Sequence, residues 1–198
     1  MSRARPGERR EMILQTLARM LQERHGERIT TAELARAVGV SEAALYRHFS
    51  GKARMFEALL EFIEESLFTR ITRILTEEPD TPRRLQAIVY LVLGFAEKNP
   101  GMARILYGDI LVGETERLRR RVAQIYDRLE TQIKQVLREG ELHEGRRYAA
   151  NDTASLLLAV IEGRIARFAR SDFRASPTMG WEQQWELLRV GLFTERPV

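Results

Sequence analysis

The sequence predicts an all-α protein of about nine helices. Apolar residues recur at three- and four-residue spacing along most of the 198-residue chain, which is the period of an amphipathic helix. Turn-forming residues separate these segments, most clearly at Glu77–Pro82 and Asn99–Gly101. Two short helical patterns around Gly39 precede the longer ones. We therefore expect a three-helix DNA-binding domain at residues 1–50 and a helical regulatory and dimerisation domain at residues 51–198.

The first helix is predicted from Glu8 to about Arg24, where His25-Gly26 ends it. Its apolar positions would pack on the two short helices that follow. The residues before it are basic and contain Pro and Gly. Two alternatives remain open for Arg3 and Arg5 in this arm: they follow DNA phosphates or the minor groove, or they belong to a solvated tail.

Two helices joined by a glycine turn are predicted within Ile29–Phe56. Thr30 and Glu33 have the spacing of a capping box, in which each side chain bonds the backbone N–H of the other residue. Gly39 suits a left-handed helix end, and Ser41 suits the next N-cap. This is the pattern of a helix-turn-helix. The predicted helices are Thr31–Ala37 and Ser41–Phe49.

The second of these helices has the composition of a DNA-reading helix. Leu45 and Phe49 share one face and should point inward, while Ala43 and Arg47 lie opposite. A face of small residues can enter a major groove, where Arg47 reaches guanine or phosphate and Ala43 touches a thymine methyl. The alternative is a helical hairpin with a solvated arginine and tyrosine; we favour DNA recognition. The flanking candidates are Ala44, Tyr46, His48 and Lys52.

The distribution of charge supports this interpretation. The chain carries 32 basic and 28 acidic residues, a net charge of +4. Residues 1–54 contain 11 Lys/Arg and 6 Asp/Glu, so the excess of positive charge lies in the segment with the helix-turn-helix. A basic excess there is expected of a surface that meets phosphates. An ordinary arginine-rich surface would not explain this asymmetry, although the excess is small.

A long helix is predicted from an N-cap at Ser50 to about Thr76. Lys52 in its first turn opposes the helix dipole, a conflict that a phosphate bound at the helix N-terminus would remove. Phe62 lies off the main apolar stripe. Packing is the commoner role for such a residue, and contact with a partner is the other. The stripe consists of Phe56, Leu59, Leu60, Ile63, Leu67, Ile71 and Ile74.

The next helix is predicted from Thr81 or Pro82 to about Lys98. Because it is apolar nearly all round, we expect it to be central and buried. Gly94 inside it either permits close helix approach or shapes a groove.

A short helix follows at Met102–Val112, interrupted near Gly108. An amphipathic helix is then predicted at Glu114–Glu139, with a turn at Gly140–Gly145.

The last two predicted helices, Asn151–Phe173 and Trp181–Phe193, are rich in apolar residues, and Gly163 lies in the middle of the first. We interpret them as a four-helix dimer seam around a two-fold axis, in preference to a cap on the core of one chain. A dimer also suits a helix-turn-helix, which binds two half-sites about one DNA turn apart. The predicted seam residues are Leu157, Val160, Ile161, Ile165, Phe168, Trp185 and Leu188.

No catalytic or metal-binding pattern is found. The chain has no cysteine, and His25, His48 and His143 lack ligand spacing. A glycine-rich phosphate loop and a G-x-S-x-G motif are absent as well. We therefore expect neither an enzyme nor a cofactor. No apolar run approaches the ~20 residues that span a bilayer, and no signal peptide is recognisable, so we expect a cytosolic protein.

The run ITTAELARAVGVSEAALYRHFSGKARMFEAL resembles the TetR family of bacterial DNA-binding dimers, and the helical remainder fits a TetR-like fold. Within that family, LLEFIEESL and LGFAEKNPG resemble the branch that acts in nucleoid occlusion. The resemblance implies homodimers, one or more per site, on palindromic chromosomal DNA. It also implies that the DNA-bound form contacts the division GTPase FtsZ and antagonises ring assembly over the nucleoid.

The resemblance further implies which residues make these contacts. At the position of Lys98 the nucleoid-occlusion branch has an arginine. A lysine cannot make the bidentate pairing with a carboxylate that an arginine makes. The alternative hypothesis is a ligand-responsive repressor with a small-molecule pocket, which the scarcity of polar anchors in the central helices disfavours. The implied DNA contacts are Thr30, Ser41, Ala43, Ala44, Tyr46, Arg47, His48 and Lys52. The implied FtsZ face is Phe62, Arg70, Leu91, Gly94, Lys98 and Asn99.

Overall fold

A computed structural model describes residues 6–23, 29–109, 116–145 and 147–193, and the regular elements in those ranges are nine helices. The predicted all-α class is confirmed. The helices are α1 (Pro6–Glu23), α2 (Thr31–Val38), α3 (Glu42–His48), α4 (Lys52–Glu77), α5 (Thr81–Lys98), α6 (Pro100–Tyr107), α7 (Glu116–Glu144), α8 (Ala150–Arg170) and α9 (Trp181–Phe193). Outside the described residues lie Arg3, Arg5, the predicted stop at His25-Gly26 and the predicted helix ends at Arg24, Val112 and Glu114.

The first three helices form a helix-turn-helix unit held by local capping. The Thr30 hydroxyl accepts from the Glu33 N–H, and the Glu33 carboxylate accepts from the Thr30 N–H, which confirms the predicted capping box. Gly39 ends α2 with a left-handed φ of 76°. Ser41 caps α3 by accepting from the Ala44 N–H at 3.2 Å. Helix α1 packs on α2 and also on α4 and α6, which belong to the helical body.

The long helix α4 begins differently from the prediction. Its N-cap is Gly51, not Ser50, and no side chain caps its first turn. The domain boundary predicted after residue 50 falls in this turn and stays a prediction. The dipole of a helix favours a negatively charged group such as a phosphate at a first turn of this kind.

Helix α5 occupies the centre of the C-terminal half. It packs against α4, α6, α7, α8 and α9, as its nearly continuous apolar surface predicts. The Asp80 carboxylate caps it by accepting from the Arg83 N–H at 2.9 Å. Buried side chains from α1 to α9 form one connected core.

The turn predicted at Gly140–Gly145 is wrong, because α7 continues to Glu144. Gly140 lies inside the helix, where an added Cβ would collide with the buried Thr81 side chain at the start of α5. The glycine therefore serves close helix packing rather than a turn. The break predicted near Gly108 is confirmed: Gly108 ends α6 with a left-handed φ of 85°.

Arg104 is a buried charged residue that joins the two halves. Its side chain on α6 is 4% exposed. One guanidinium nitrogen donates to the backbone oxygen of Leu21 on α1 at 3.2 Å, and another pairs with the Asp109 carboxylate at 2.7 Å. Close by, Gly101 lies directly against the α1 backbone at Ala18. Within the described ranges, none of the helices is both long and apolar enough to cross a bilayer.

Candidate nucleic-acid interface

Helix α3 has one face in the core and one in solvent. Leu45 and Phe49 are buried, whereas Ala43 and Arg47 on the opposite face are exposed. Arg10 of α1 lies over the outer side of Phe49, with its guanidinium carbon 4.8 Å from the ring centroid. The exposed face therefore includes a small residue and a long cationic donor, and the opposite face of the helix packs in the core. This geometry admits the helix to a major groove, with Arg47 able to reach a base edge or a phosphate.

The predicted flanking residues lie around this face at different depths. Tyr46 is 47% exposed, while Ala44 and His48 are half-buried. Lys52 is half-buried in the first turn of α4, with its ammonium 5.5 Å from the centre of the Phe56 ring. A cation at the uncapped start of a helix forms, together with the backbone N–H groups, a site that suits a phosphate.

The two N-cap residues among the predicted DNA contacts already have structural roles. The Thr30 hydroxyl accepts from the Glu33 N–H at 3.2 Å and donates to the Glu33 carboxylate at 2.8 Å. The Ser41 hydroxyl accepts from the Ala44 N–H. A phosphate approaching α2 would therefore meet the N–H groups of the first helical turn more readily than the Thr30 hydroxyl.

Sequence reasoning missed a polar contact that links the two helices of the motif. The Thr31 hydroxyl on α2 donates to the Glu42 carboxylate on α3 at 3.1 Å, and the Tyr46 hydroxyl donates to the Thr31 oxygen at 3.5 Å. Glu42 is exposed in the first turn of α3. Its position directly after the N-cap Ser41 was the available signal, because the first residues of a recognition helix are those that meet bases.

The six predicted partner residues divide into two groups. Phe62 is 48% exposed, and its ring centroid lies 6.4 Å from that of Phe95. Phe62 and Asn99 both line a groove of about 610 Å³ between α1, α4 and the α5–α6 junction. The Asn99 amide is committed to the helix end, since its nitrogen donates to the Phe95 backbone oxygen at 2.8 Å. The remaining four, which do not line this groove, are Arg70, Leu91, Gly94 and Lys98.

Those four residues lie along the neighbouring surface of α4 and α5. Arg70 and Lys98 are exposed, and Leu91 and Gly94 are half-buried. Helical periodicity places Leu91, Gly94 and Lys98 on one side of α5. A Cβ at Gly94 would meet no atom within 4 Å, so this glycine leaves a shallow depression and does not serve close helix approach.

The structure corrects the predicted dimer seam. Five of its seven residues are buried in the core of the single chain and have no surface to offer a partner. For these five residues the alternative interpretation, packing on the core of one chain, agrees with the structure. The other two, Val160 and Leu188, are half-buried. The five buried residues are Leu157, Ile161, Ile165, Phe168 and Trp185.

A different apolar surface of α8 and α9 faces solvent. Leu187 is 77% exposed and Val190 is 61% exposed on α9, and Leu156 is exposed on α8. Gly163 is exposed two helical turns beyond Leu156, and a Cβ there would meet no atom within 4 Å. Burial raises the pKa of Glu162 beside it, and the nearby Glu130 carboxylate adds to this effect. Exposed small and apolar residues on both helices suit contact with other helices.

The fold and this site together define a class of protein. An N-terminal helix-turn-helix presents an open face with Arg47 and is joined to a larger helical body by α4. This is the organisation of a DNA-binding regulator, in which the body carries the regulatory surfaces.

The comparison with known families specifies that class. Residues 13–59 match the family "Bacterial regulatory proteins, tetR family", and residues 79–192 match the SlmA-like "Tetracyclin repressor-like, C-terminal domain". A protein of Marinomonas sp. (strain MWYL1) named nucleoid occlusion factor SlmA is 56% identical over 191 residues, which cover 96% of this chain and 97% of that protein. An Alteromonas mediterranea protein of the same name is 58% identical over 179 residues, covering 89% and 92%. The chain belongs to the SlmA family of nucleoid occlusion factors, a branch of the TetR family.

Solved structures share the fold at lower identity. PfmR, a TetR family transcriptional regulator from Thermus thermophilus, aligns with a TM-score of 0.73 at 23% identity over 93% of this chain and 99% of that chain. FadR from Bacillus subtilis, solved in complex with stearoyl-CoA, aligns with a TM-score of 0.72 at 15% identity over 90% and 96%. At these identities the likeness establishes the fold alone.

Proposed function

We propose that this chain binds palindromic chromosomal DNA as a homodimer and, when bound, contacts FtsZ and antagonises division-ring assembly over the nucleoid. Its working location would then be the nucleoid in the cytoplasm. The observation that carries the proposal is that one chain presents two separate exposed surfaces. One is the α3 face with Ala43 and Arg47, and the other is the α4–α5 surface that begins at the half-exposed Phe62.

The position of the groove beside Phe62 supports a partner contact that depends on DNA. One wall is α1, which belongs to the helix-turn-helix unit, and the other is α4 of the helical body. DNA binding that fixes the helix-turn-helix unit would therefore also fix one wall of the groove. A partner segment with apolar side chains could then insert beside Phe62 while its acidic groups meet Arg70 or Lys98.

The exposed apolar residues of α8 and α9 are the surface we propose for the dimer. Leu156 and Gly163 on one helix and Leu187 and Val190 on the other would meet their copies across a two-fold axis. Such a dimer would present two α3 helices to two half-sites of a palindrome.

Sedimentation of FtsZ polymers tests the proposal. Polymers are pelleted with this protein alone, with a specific palindromic duplex alone, and with both together. We expect loss of pelleted FtsZ when protein and duplex are both present. If the polymer is unchanged with both present, while a small molecule releases the protein from DNA, the protein is instead a ligand-responsive repressor.

Phe62→Ala separates the partner surface from the DNA surface. We expect the variant to keep its fold and its DNA affinity and to lose its effect on FtsZ, because Phe62 is half-exposed and lies on α4, outside the two helices of the motif. Leu142→Ala is the matched control, since it also truncates an exposed apolar residue, near the end of α7. A large fall in melting temperature for Phe62→Ala alone would assign Phe62 to the core.

A further inference from the structure

Glu42 is an acidic side chain on a surface that has to meet phosphates. It is exposed in the first turn of α3, between the N-cap Ser41 and Ala43. Its carboxylate accepts from the Thr31 hydroxyl at 3.1 Å, and Thr31 in turn accepts from the Tyr46 hydroxyl at 3.5 Å. The carboxylate therefore lies at the leading end of the recognition helix in contact with Thr31 of α2, and Thr31 is itself in contact with Tyr46 of α3.

A fixed carboxylate at this place lowers affinity for DNA in general. Duplex DNA carries one negative charge per ~1.7 Å of its axis, and repulsion acts on every sequence alike. The repulsion is offset only where the carboxylate meets a hydrogen-bond donor on a base edge. A structural role also exists, because an acidic residue in the first turn of a helix interacts favourably with the helix dipole. That role is independent of DNA sequence, so experiment can separate the two.

The chemistry of the major groove selects one base for this carboxylate. A carboxylate only accepts hydrogen bonds, and the donors in the groove are the amino groups of cytosine and adenine. Adenine presents its N7 acceptor beside its amino group, which favours an amide such as Asn or Gln and repels a carboxylate. Cytosine N4 is the donor that acidic residues match. The neighbours Ala43 and Ala44 contribute no polar side-chain atoms, and the Ser41 hydroxyl is engaged by the Ala44 N–H, so Glu42 is the charged acceptor at the start of the helix.

We infer that Glu42 determines sequence specificity by accepting a hydrogen bond from the N4 amino group of a cytosine in each half-site. It also disfavours binding to other sequences through repulsion of the phosphates. The Thr31 and Tyr46 hydroxyls position it. This inference rests on the proposed DNA-binding function and adds the base that one residue recognises.

The test begins with selection of binding duplexes from a random pool by the wild-type protein, Glu42→Ala and Glu42→Gln. We expect the wild-type consensus to contain a cytosine in each half-site that both variants no longer require. Changing that C·G pair to T·A, which replaces the amino donor with a carbonyl acceptor, should weaken wild-type binding about 5- to 150-fold. Glu42→Ala should bind the two duplexes within about twofold of each other and should bind a non-specific duplex more tightly than wild type does.

Glu23→Ala is the charge-matched control, because it removes an exposed carboxylate near the end of α1. It should retain the wild-type consensus. An unchanged consensus in Glu42→Ala overturns the inference. So does a uniform loss of affinity on all sequences together with a lower melting temperature, which would assign Glu42 a purely structural role. If the wild-type protein itself selects no consensus, the proposed DNA-binding function fails as well. FtsZ sedimentation with each variant on its own selected duplex distinguishes failure of the partner function.

Discussion

At the scale of single residues, the proposed interface depends on which side chains α3 presents beside its small residues. Ala43 leaves the helix thin, Arg47 supplies a long donor, and Glu42 supplies a fixed acceptor. The half-buried Lys52 adds a cation at the start of α4, where the first turn has no side-chain cap. We propose Glu42 for base recognition and Lys52 for phosphate contact, so the effects of these two residues are separable by measurement.

Arg47→Ala should weaken binding to the selected palindrome by about 1–3 kcal/mol and reduce its preference over other sequences, because the side chain reaches bases or phosphates from the exposed face. Fluorescence anisotropy titration of specific and non-specific duplexes measures both effects. Specific binding that remains at the wild-type level would contradict the assignment of this face to the groove.

Lys52→Ala should instead weaken binding to all duplexes alike. The lysine is assigned to a phosphate, so its loss should lower the slope of log affinity against log salt concentration by about one unit. Titrations across a range of salt concentrations give the slope. Lys134→Ala on α7 is the control, since that ammonium pairs with Glu130 at 3.0 Å, and its slope should equal that of wild type. Equal slopes for all three proteins would remove Lys52 from the interface.

At the scale of helices, the contact between α1 and α6 connects the helix-turn-helix unit to the body. Gly101 lets the two backbones meet at Ala18, and Arg104 donates from α6 to the Leu21 oxygen. Helix α1 is also one wall of the groove beside Phe62, and α4 is the other wall. Helix α1 is therefore shared by the DNA-binding unit, the junction with the body and the wall of the proposed partner site.

Gly101→Ala should destabilise the protein by about 1–3 kcal/mol, because the added methyl group would collide with the α1 backbone in a packed contact. Thermal unfolding followed by circular dichroism measures the change. Gly94→Ala is the control: its Cβ meets open space within helix α5, so we expect a gain of up to ~1 kcal/mol. Equal melting temperatures for Gly101→Ala and wild type would show that α1 and α6 can move apart at no cost.

At the scale of the complete chain, the proposed function requires two copies of α3 at a fixed separation. The surface that we propose for this association consists of exposed residues of α8 and α9, at the opposite side of those helices from their core residues. Because linking two binding modules strengthens the pair by about 10²- to 10⁴-fold, the dimer should matter as much for affinity as any single DNA contact.

Leu187→Glu should convert the dimer to a monomer, since it places a charge on the most exposed apolar position of α9. Analytical ultracentrifugation should report the change in mass, and affinity for the palindrome should fall by at least about 100-fold. Leu142→Glu, at an equally exposed leucine near the end of α7, should stay dimeric. A dimeric Leu187→Glu would place the interface elsewhere.

Features that depend on neighbouring residues could be predicted from the amino-acid sequence. The order of the helices, the capping box at Thr30, the helix end at Gly39 and the N-cap at Ser41 follow from local hydrogen bonding and helical period. The open face of α3 could be predicted for the same reason, because in a short helix the buried Leu45 fixes the direction of every other side chain.

Which of two apolar surfaces a helix buries could be read only from the packed helices. Helices α8 and α9 are apolar on more than one side, and the period of the sequence does not tell which side is buried. It therefore places Leu157 in the dimer seam, whereas this residue packs in the core of the chain and Leu187 faces solvent. Gly140 likewise resembles a turn until Thr81 of a distant segment packs against it. Contacts between residues far apart in the chain set these choices, and such contacts exist only after the helices have packed together.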